Sequence, residues 1–337
     1  MSENRIPAQM TAVVLEAYKG AGALQVVERP VPKPGPNQVL IKIAASPINP
    51  SDLAFLEGRY GFDKPAPVIP GIEGAGTVVA TGSGLMGRFL LGKRVACVAS
   101  AQGDGVWAEY MLTTANYAFP LDDSVDLEQG AMSLANPLTA LAFMEIAQKA
   151  GHKTIVNTAA ASALGQMIQR MAKSEGILVI NVVRRQEQVE LLKQQGATIV
   201  LNSSDADFEK QLKEACHQHQ ARLAFDAIAG KMTMQLLDAL PNNSRVTVYG
   251  GLSMQPSEVW GTHFIFQNKT VDGFWLTPWM AKKNFLQSLL FWRKSQKLMG
   301  SALKTHIRAC YPLQDAQKAV LDYQKQMTGG KVLIMPQ

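Results

Sequence analysis

Hydrophobic residues change their spacing twice along the chain, and these changes divide it into three regions. Over residues 1–123, short apolar runs are separated by Gly and Pro, which is typical of short strands joined by turns. Over residues 124–301, apolar runs alternate with stretches in which apolar side chains recur every three or four positions. Residues 302–337 return to β character. The spacing predicts an irregular, mostly β domain built from the first and last regions, and an α/β domain between them.

The α/β region opens with a strand–helix–strand unit. Residues 153–157 and 177–183 are short apolar runs rich in β-branched side chains. Between them, Leu164, Ile168 and Met171 share one face of a helix predicted over 163–175. Further strands are predicted over 198–201, 222–228, 244–249 and 269–276, and helices over about 127–149, 187–195, 206–217, 231–240 and about 280–298. This alternation predicts a doubly wound parallel sheet of the Rossmann type.

The turn between the first strand and its helix carries a modified glycine fingerprint. The glycines of G-x-G-x-x-G, a dinucleotide-binding motif, fall on Ala160, Ser162 and Gly165. Gly165 meets the need for close helix–strand packing, Ala160 can make the tight turn, and Ser162 sits at the helix N-cap. Because helix N-termini bind phosphate groups, the candidate pyrophosphate contacts are Ala161, Ser162, Ala163, Leu164 and Gly165. Small residues also occur at such turns in other α/β proteins, so the motif alone leaves both interpretations open.

Two arginines follow the second strand, where an NAD site has Asp or Glu for the ribose 2′-hydroxyl. Arg184 and Arg185 would instead pair with the 2′-phosphate of NADPH. The alternative is a pair of solvated surface arginines. Two cations at the positive end of a helix are unfavourable without an anion, however. The sequence therefore predicts NADPH as the cofactor.

Composition is that of a globular protein of about two domains. Of the 337 residues, 47% are hydrophobic and 18% are charged. The net charge of +6 is mild, so it suits anionic cofactors and substrates and makes nucleic acid an unexpected partner. Three widely separated cysteines, Cys97, Cys216 and Cys310, predict no disulfide framework.

The expected compartment is the cytoplasm. The first ten residues contain Glu3 and lack an apolar core, which argues against a secretory signal. No apolar run reaches the roughly 18 residues that a membrane helix needs, so no membrane partner is expected.

Three segments together resemble the medium-chain dehydrogenase/reductase superfamily, and the resemblance covers nearly the whole chain. They are INPSDLAFLEGRYG, then VNTAAASALGQ with the later INVVRR, and finally YGGL with FIFQNKTVDGFWLTPW. Within the superfamily, these three segments are most like the NADPH-dependent 2-enoyl thioester reductases. The last segment is the specific match, because two tryptophans in that setting are rare by chance. The resemblance implies a GroES-like catalytic domain over 1–123 and 302–337 and an NADP-binding Rossmann domain over 124–301.

The resemblance also implies roles for individual residues. Tyr60 would donate a hydrogen bond to a thioester carbonyl and stabilise the enolate that forms when hydride reaches the β-carbon. Without the resemblance, an aromatic anchor in a glycine-bounded loop would be the better interpretation of this residue. Phe274–Leu276 would form a strand that contacts the cofactor, and Tyr249–Leu252 follow a strand end, where such sheets bind ligands. The expected cofactor contacts outside the turn are Asn136, Tyr249, Gly250, Gly251, Leu252, Phe274, Trp275, Leu276 and Lys331.

The zinc alcohol dehydrogenases of the same superfamily are excluded by their metal ligands. Their catalytic Cys, His and Cys fall on Asn49, Ile72 and about Asn136, and an isoleucine cannot bind zinc. We therefore expect a reaction without a metal. A second cluster, Cys216, His217 and His219, is better explained as a solvated helix end, because positions 217 and 219 point about 200° apart on a helix.

One segment departs from the reductase pattern and keeps other functions open. The reductases usually have a Lys-Pro-Gly-Asp turn where this chain has SGLMGRFLLGKRVACVASAQGDGVW. Reduction of quinones or alkenals therefore stands beside reduction of an enoyl thioester of CoA or acyl carrier protein. A non-catalytic NADPH-binding protein is the alternative of another class, and Tyr60 and Trp275 favour an enzyme. The expected assembly is a homodimer joined through an edge strand around Thr270 to Trp275.

Overall fold

The computed structural model describes residues 6–62 and 64–336 of the chain. Residues 1–5 lie outside the described part. They include Glu3, on which the expectation of no secretory signal depends. The chain forms two compact units, Met1–Ala135 with Lys304–Gln337 and Asn136–Leu303, which we call the first and the second unit. The sequence pattern placed the corresponding changes after residues 123 and 301.

The first unit begins with short strands and short helices, as the Gly- and Pro-punctuated pattern predicts. In chain order they are β1 (Gln9–Leu15), β2 (Leu24–Pro30), β3 (Gln38–Pro47), α1 (Pro50–Leu56), β4 (Glu73–Thr81), α2 (Leu85–Leu90), β5 (Arg94–Val98), β6 (Tyr110–Thr114), β7 (Ala118–Pro120) and α3 (Leu127–Ala131). Two short 3₁₀ helices, Gly20–Ala23 and Ala115–Tyr117, join strands within this region.

The second unit alternates helices and strands. In chain order they are α4 (Ala135–Lys149), β8 (Thr154–Asn157), α5 (Ala163–Ser174), β9 (Leu178–Val183), α6 (Gln186–Gln194), β10 (Ile199–Asn202), α7 (Phe208–Gln218), β11 (Leu223–Asp226), α8 (Lys231–Ala239), β12 (Arg245–Val248), α9 (Gly261–Ile265), β13 (Thr270–Gly273), α10 (Leu276–Ala281) and α11 (Phe285–Leu298). The chain then returns to the first unit with β14 (Ile307–Pro312), a 3₁₀ turn (Leu313–Asp315), α12 (Ala316–Lys325) and β15 (Lys331–Met335).

The sheet of the second unit has the Rossmann topology that the alternating pattern predicts. Its parallel strands run in the order β10-β9-β8-β11-β12-β13. The chain reverses direction across the sheet between β8 and β11, and ligands of such sheets bind at the carboxyl ends of the strands at this point. Among the described strands β13 pairs only with β12, so it is an edge, as expected.

The first unit is organised around β3. This strand pairs antiparallel with β4, β6 and β15, and most of its residues are buried. The sheet order is β14-β15-β3-β4-β5-β7, so the C-terminal strands complete the sheet that the N-terminal region begins. Trp107 is fully buried in this unit, and its indole Nε1–H donates to Ser46 Oγ at 3.2 Å.

Two helices predicted as continuous are broken. The helix expected over 127–149 is split into α3 and α4, because Ser133 folds its hydroxyl back onto the Gly130 carbonyl at 2.7 Å. A new helix then starts with Pro137 in its first turn, where the missing N–H has no cost. The helix expected near 280–298 is also two helices, since Asn284 caps α11 by accepting from Gln287 N–H.

The last parallel strand is shorter than predicted. It ends at Gly273 rather than at residue 276. Phe274 and Trp275 therefore follow the strand, and Leu276 is the first residue of α10. In the part of the chain that the structure describes, no helix combines the length and the apolar character that a membrane span requires.

Candidate functional site

The turn after β8 is built by close backbone packing. A Cβ atom at Gly165 would lie 2.5 Å from the Ala160 carbonyl oxygen and 2.7 Å from that of Ala159, so only glycine fits. This is the surviving glycine of the fingerprint. The left-handed backbone conformation falls on Ala159, with φ of 47°, one residue before the position expected from the motif.

Ser162 is the N-cap of α5, as predicted. Its Oγ accepts the Gly165 N–H at 3.1 Å, and its own O–H can still be donated. The first N–H groups of a helix have no carbonyl partner within the helix, so those of Ala163 and Leu164 can bind an anion. The side chain of Ala161 is buried, so a contact there would come from the backbone.

The two arginines lie between β9 and α6, where the sequence places them. The Gln188 Oε1 atom accepts both of their backbone N–H groups, at 3.1 Å from Arg184 and 3.2 Å from Arg185. Arg185 Nε lies 2.7 Å from Glu187 Oε1, which partly neutralises its charge. Both arginines are exposed, and because Glu187 partly neutralises Arg185, the Arg184 guanidinium is the better placed of the two for a phosphate.

Residues after β12 form the next predicted group of contacts. The Tyr249 ring packs edge-on against Phe143 at 4.9 Å, and its buried hydroxyl has no hydrogen-bond partner among the described residues. Burial, helped by the charge of Asp226, raises the pKa of this phenol. At Gly250 a Cβ would lie 2.7 Å from the Ala227 carbonyl oxygen, while Gly251 and Leu252 are exposed.

The predicted cofactor strand over Phe274–Leu276 is a loop and a helix start. Phe274 N–H still donates to the Val248 carbonyl at 2.8 Å, but its ring packs edge-on against Phe143 at 4.8 Å. Trp275 is 43% exposed, whereas Phe274 and Leu276 are half-buried. Asn136 lies in the first turn of α4 and is half-buried.

In the first unit, four polar side chains meet at the N-terminus of α1. Asn49 donates from Nδ2 to Glu73 Oε1 at 2.8 Å, and its Oδ1 accepts from Lys331 Nζ. Lys331 Nζ also donates to the Ile48 carbonyl at 3.1 Å. Asp52 accepts the N–H groups of Asn49 and Ile72, at 2.8 and 3.0 Å. All four side chains are buried, and we call them the buried ion cluster.

Burial shifts the proton affinities of this cluster in opposite directions. It raises the pKa of the Asp52 carboxyl to about 7, and the charge of Glu73 adds to this. It also raises the pKa of Glu73, although the Ala135 N–H, at 2.8 Å from Oε2, opposes the shift. Burial lowers the pKa of the Lys331 ammonium to about 8, against the attraction of Glu73 and Asp52. Burial thus moves the pKa values of Asp52 and Lys331 towards each other.

Sequence reasoning missed most of this cluster. The expectation that Lys331 lies near a cofactor stays a prediction, and in the structure its Nζ contacts protein oxygens. Asn49 was considered only as a position where zinc alcohol dehydrogenases have a metal ligand. Asp52 and Glu73 were not predicted as site residues. The sequence did contain one signal for Asn49 and Asp52, the Asn-Pro-Ser-Asp run. In the structure this run forms a capping box with Pro at the helix start.

Tyr60 lies in the loop after α1. The loop begins at Gly58, whose φ is +68°, and Arg59 N–H donates to the Ala54 carbonyl at 2.8 Å. The half-buried Tyr60 ring meets the Phe62 ring edge-on at a centroid distance of 5.0 Å. An aromatic neighbour thus fixes one side of the predicted catalytic ring.

The described residues form no metal site, either at positions 49, 72 and 136 or at Cys216, His217 and His219. No three His, Cys, Asp or Glu side chains there are arranged to hold a metal ion. Cys216 is fully buried in α7, where burial raises the pKa of its thiol to about 12, and His219 caps the end of the helix.

Two family models match the chain. Residues 35–123 match the alcohol dehydrogenase GroES-like domain, and residues 163–291 match the family described as zinc-binding dehydrogenase. The first match lies within the first unit and the second within the second unit.

Individual relatives extend the likeness over most of the chain. A mitochondrial enoyl-acyl-carrier-protein reductase from Arabidopsis thaliana is 31% identical over 276 residues, which is 80% of this chain and 73% of the relative. A solved structure from Mesorhizobium loti, described as a candidate NADPH:quinone reductase, is 37% identical with a TM-score of 0.92, covering 98% of this chain and 99% of that one. A similarly described structure from Bacillus thuringiensis is 26% identical with a TM-score of 0.87, covering 98% and 100%.

The buried ion cluster predicts a pH-dependent loss of stability in Lys331→Met. Removing the cation leaves two buried carboxylates uncompensated, so the free energy of unfolding should fall by about 3–5 kcal/mol at pH 7. The pKa of Asp52 in the folded state, about 7, lies above its ordinary value of 3.8, so ionising it weighs against folding as pH rises through this window. The loss should therefore be smaller at pH 5.

Urea unfolding at pH 5 and pH 7 measures this difference. Lys318→Met is the matched control, because Lys318 is exposed and its Nζ lies 5.7 Å from the Tyr311 ring centroid. That variant should lose little stability at either pH. Equal losses for Lys331→Met at both pH values would show that the carboxylates do not depend on the lysine.

Proposed function

As a member of the medium-chain dehydrogenase/reductase superfamily, the chain is an oxidoreductase, and we propose that it reduces an activated C=C bond with NADPH. The proposed substrate is a 2-enoyl thioester of CoA or acyl carrier protein. The observation that carries this proposal is Tyr60, a phenol in a loop after the Asn-Pro-Ser-Asp start of α1 and held by an aromatic neighbour. The Arabidopsis thaliana relative, named an enoyl-acyl-carrier-protein reductase, supports the substrate class.

The residues of the second unit fit NADPH. The start of α5 offers N–H groups and the Ser162 hydroxyl to a pyrophosphate, and Gly165 lets the backbone approach closely. Arg184 offers an exposed guanidinium to a 2′-phosphate, and Arg185 adds a second, partly neutralised one. Further candidate contacts are Asn136 in the first turn of α4, Gly251 and Leu252 after β12, and Trp275 after β13. When bound, NADPH supplies the hydride that the reaction needs.

Tyr60 is proposed to act on the substrate carbonyl. A phenol with an ordinary pKa near 10 stays protonated at neutral pH and can donate a hydrogen bond. As hydride reaches the β-carbon, negative charge develops on the thioester oxygen, and a donor aimed there stabilises it. The proton that completes the reduction goes to the α-carbon, from Tyr60 or from water that it orients. No metal ion is needed for this polarisation.

Quinone reduction is the second candidate. The Mesorhizobium loti and Bacillus thuringiensis relatives, both described as candidate NADPH:quinone reductases, favour it. A quinone can accept hydride while solvent supplies the proton, so this reaction need not depend on Tyr60. Alkenals form a related substrate class, and a non-catalytic NADPH-binding protein would show neither activity.

We further propose that the protein is a homodimer joined through β13. The strand is an edge of the parallel sheet, and an unpaired edge can pair across a two-fold axis. Large apolar side chains just before it are exposed, including Ile265 at 73% and Phe266 at 77%. Such exposure is typical of an interaction surface.

The arginines predict a cofactor preference. A charge-assisted phosphate contact contributes about 1.5–3 kcal/mol, so the protein should bind NADPH about 10- to 100-fold more tightly than NADH. Arg184→Ala should remove most of this preference, and Arg185→Ala less, because Glu187 already engages Arg185. Fluorescence titration gives the dissociation constants. Equal affinities for the two cofactors in the unmodified protein would contradict the assignment.

Tyr60→Phe tests the catalytic proposal. The substitution keeps the ring and removes only the hydroxyl, so folding and NADPH affinity should survive. Losing a donor to a developing oxyanion should lower kcat for crotonyl-CoA about 100- to 1,000-fold. The loss should appear in kcat and kcat/KM alike. Reduction of 1,4-naphthoquinone by the same variant is the control and should be unchanged. Full crotonyl-CoA reduction by Tyr60→Phe would refute the role and favour the quinone function.

The proposed dimer can be tested on the exposed surface before β13. Phe266→Glu places a charge in the apolar patch, so it should shift a micromolar dimer towards monomer. Phe89→Glu is the matched control, since Phe89 is a 61% exposed phenylalanine of the first unit, and it should stay dimeric. Light scattering distinguishes the states. A monomeric parent protein at micromolar concentration would contradict the proposal.

A further inference from the structure

A lysine lies buried four residues after Tyr60. Lys64 is 7% exposed, and with Lys269 and Lys331 it belongs to the buried lysines of the described chain. Lys331 has two carboxylates beside it, as described above. Lys64 Nζ instead donates to the Gly103 carbonyl, with the carboxylate of Asp104 nearby. Burial lowers the pKa of this ammonium, which Asp104 opposes.

The ammonium sits among aromatic rings. Its Nζ lies 5.5 Å from the centroid of Phe62 and 5.8 Å from that of Phe55. Both distances fall within the range of cation–π attraction. The Phe62 ring also meets the Tyr60 ring edge-on at 5.0 Å, so one ring contacts both the cation and the tyrosine.

The backbone of Lys64 is fixed as well. The Tyr18 hydroxyl donates to the Lys64 carbonyl at 2.6 Å and accepts the Lys64 N–H at 2.9 Å. The other end of the loop is held by Arg59 N–H on the Ala54 carbonyl. Tyr60 therefore lies between two anchors, and neither α1 nor β4 includes it.

The position of Gly103, whose carbonyl accepts from Lys64 Nζ, shows which segment the lysine contacts. It follows β5, near the end of the segment SGLMGRFLLGKRVACVASAQGDGVW in which the sequence departs from the reductase pattern. Asp104, in the same segment, accepts the Ile69 N–H at 3.1 Å, and Gly105 N–H donates to the Ile69 carbonyl at 2.7 Å. The divergent segment is thus bound to the chain just beyond Lys64.

A buried ammonium is costly, and an apolar side chain of similar length would fill the same space without that cost. The contacts that offset this cost are the Gly103 carbonyl, the Asp104 carboxylate and the two aromatic rings. We propose that Lys64 is a positioning residue for Tyr60: its ammonium joins the divergent segment to Phe62 and so sets the direction of the Tyr60 hydroxyl. This inference rests on the proposed function, because it assumes that Tyr60 donates to a substrate carbonyl.

Lys64→Met removes the charge and keeps an unbranched side chain. The kcat for crotonyl-CoA should fall about 10- to 100-fold, since a misplaced catalytic group loses rate on that scale. KM and NADPH affinity should change little, and 1,4-naphthoquinone reduction should stay at the parent rate. Lys64→Arg, which keeps a cation, should retain more of the crotonyl-CoA rate than Lys64→Met.

A double-mutant cycle with Tyr60→Phe distinguishes positioning from general damage. If Lys64 acts through the Tyr60 hydroxyl, Lys64→Met should cause less than about a 2-fold further loss in the Tyr60→Phe background. Lys93→Met is the matched control, because Lys93 is an exposed lysine with Nζ 5.2 Å from the Phe89 ring, and it should behave as the parent. Losses that multiply in the double variant, or a full rate in Lys64→Met, would overturn the proposal.

Hydrogen exchange tests the anchor without any activity measurement. Amides of residues 59–62 should exchange faster in Lys64→Met than in the parent, while amides of β8 and β9 should not change. Unchanged exchange at 59–62 would refute the anchor even if the enzyme proved to be a quinone reductase. Faster exchange with an inactive parent towards crotonyl-CoA would instead refute only the substrate class.

Discussion

Lys331 brings one positive charge from near the end of the chain to the buried carboxylates of Asp52 and Glu73. A charge in an apolar interior is tolerated only when it is paired and hydrogen-bonded, so these residues constrain each other. The constraint joins β15, α1 and β4 at one point of the first unit. The C-terminal strands consequently complete the N-terminal sheet.

The same cluster includes the residue that the sequence resemblance aligns with a zinc ligand of the zinc alcohol dehydrogenases. Asn49 stands at a ligand position, and both ends of its amide are committed, to Glu73 and to Lys331. The amide is thus held by protein groups, and the Lys331 ammonium beside it contacts protein oxygens. The polarising group that the proposal assigns to the substrate is instead the Tyr60 hydroxyl, held in its loop by aromatic and backbone contacts.

Local sequence patterns predicted the second unit well, because each of its elements has its own hydrophobic period. The N-cap at Ser162, the requirement for Gly165 and the arginines after β9 all follow from residues close in sequence. The two helix breaks were not predicted, because each depends on a single side chain: the Ser133 hydroxyl at the end of α3 and the Asn284 amide at the start of α11. The first unit was predicted only as an irregular β domain. Its buried ion cluster depends on pairing between residues hundreds of positions apart, and no local pattern reports such pairing.

The central claim is reduction of an activated C=C bond by hydride and proton delivery without metal polarisation. Isotope labelling tests it most directly, with crotonyl-CoA, NADPH dideuterated at C4 of the nicotinamide, and protein dialysed against a chelator. The account predicts butyryl-CoA that carries one deuterium on the β-carbon and a solvent hydrogen on the α-carbon. Absence of butyryl-CoA, or deuterium on the α-carbon, would contradict it.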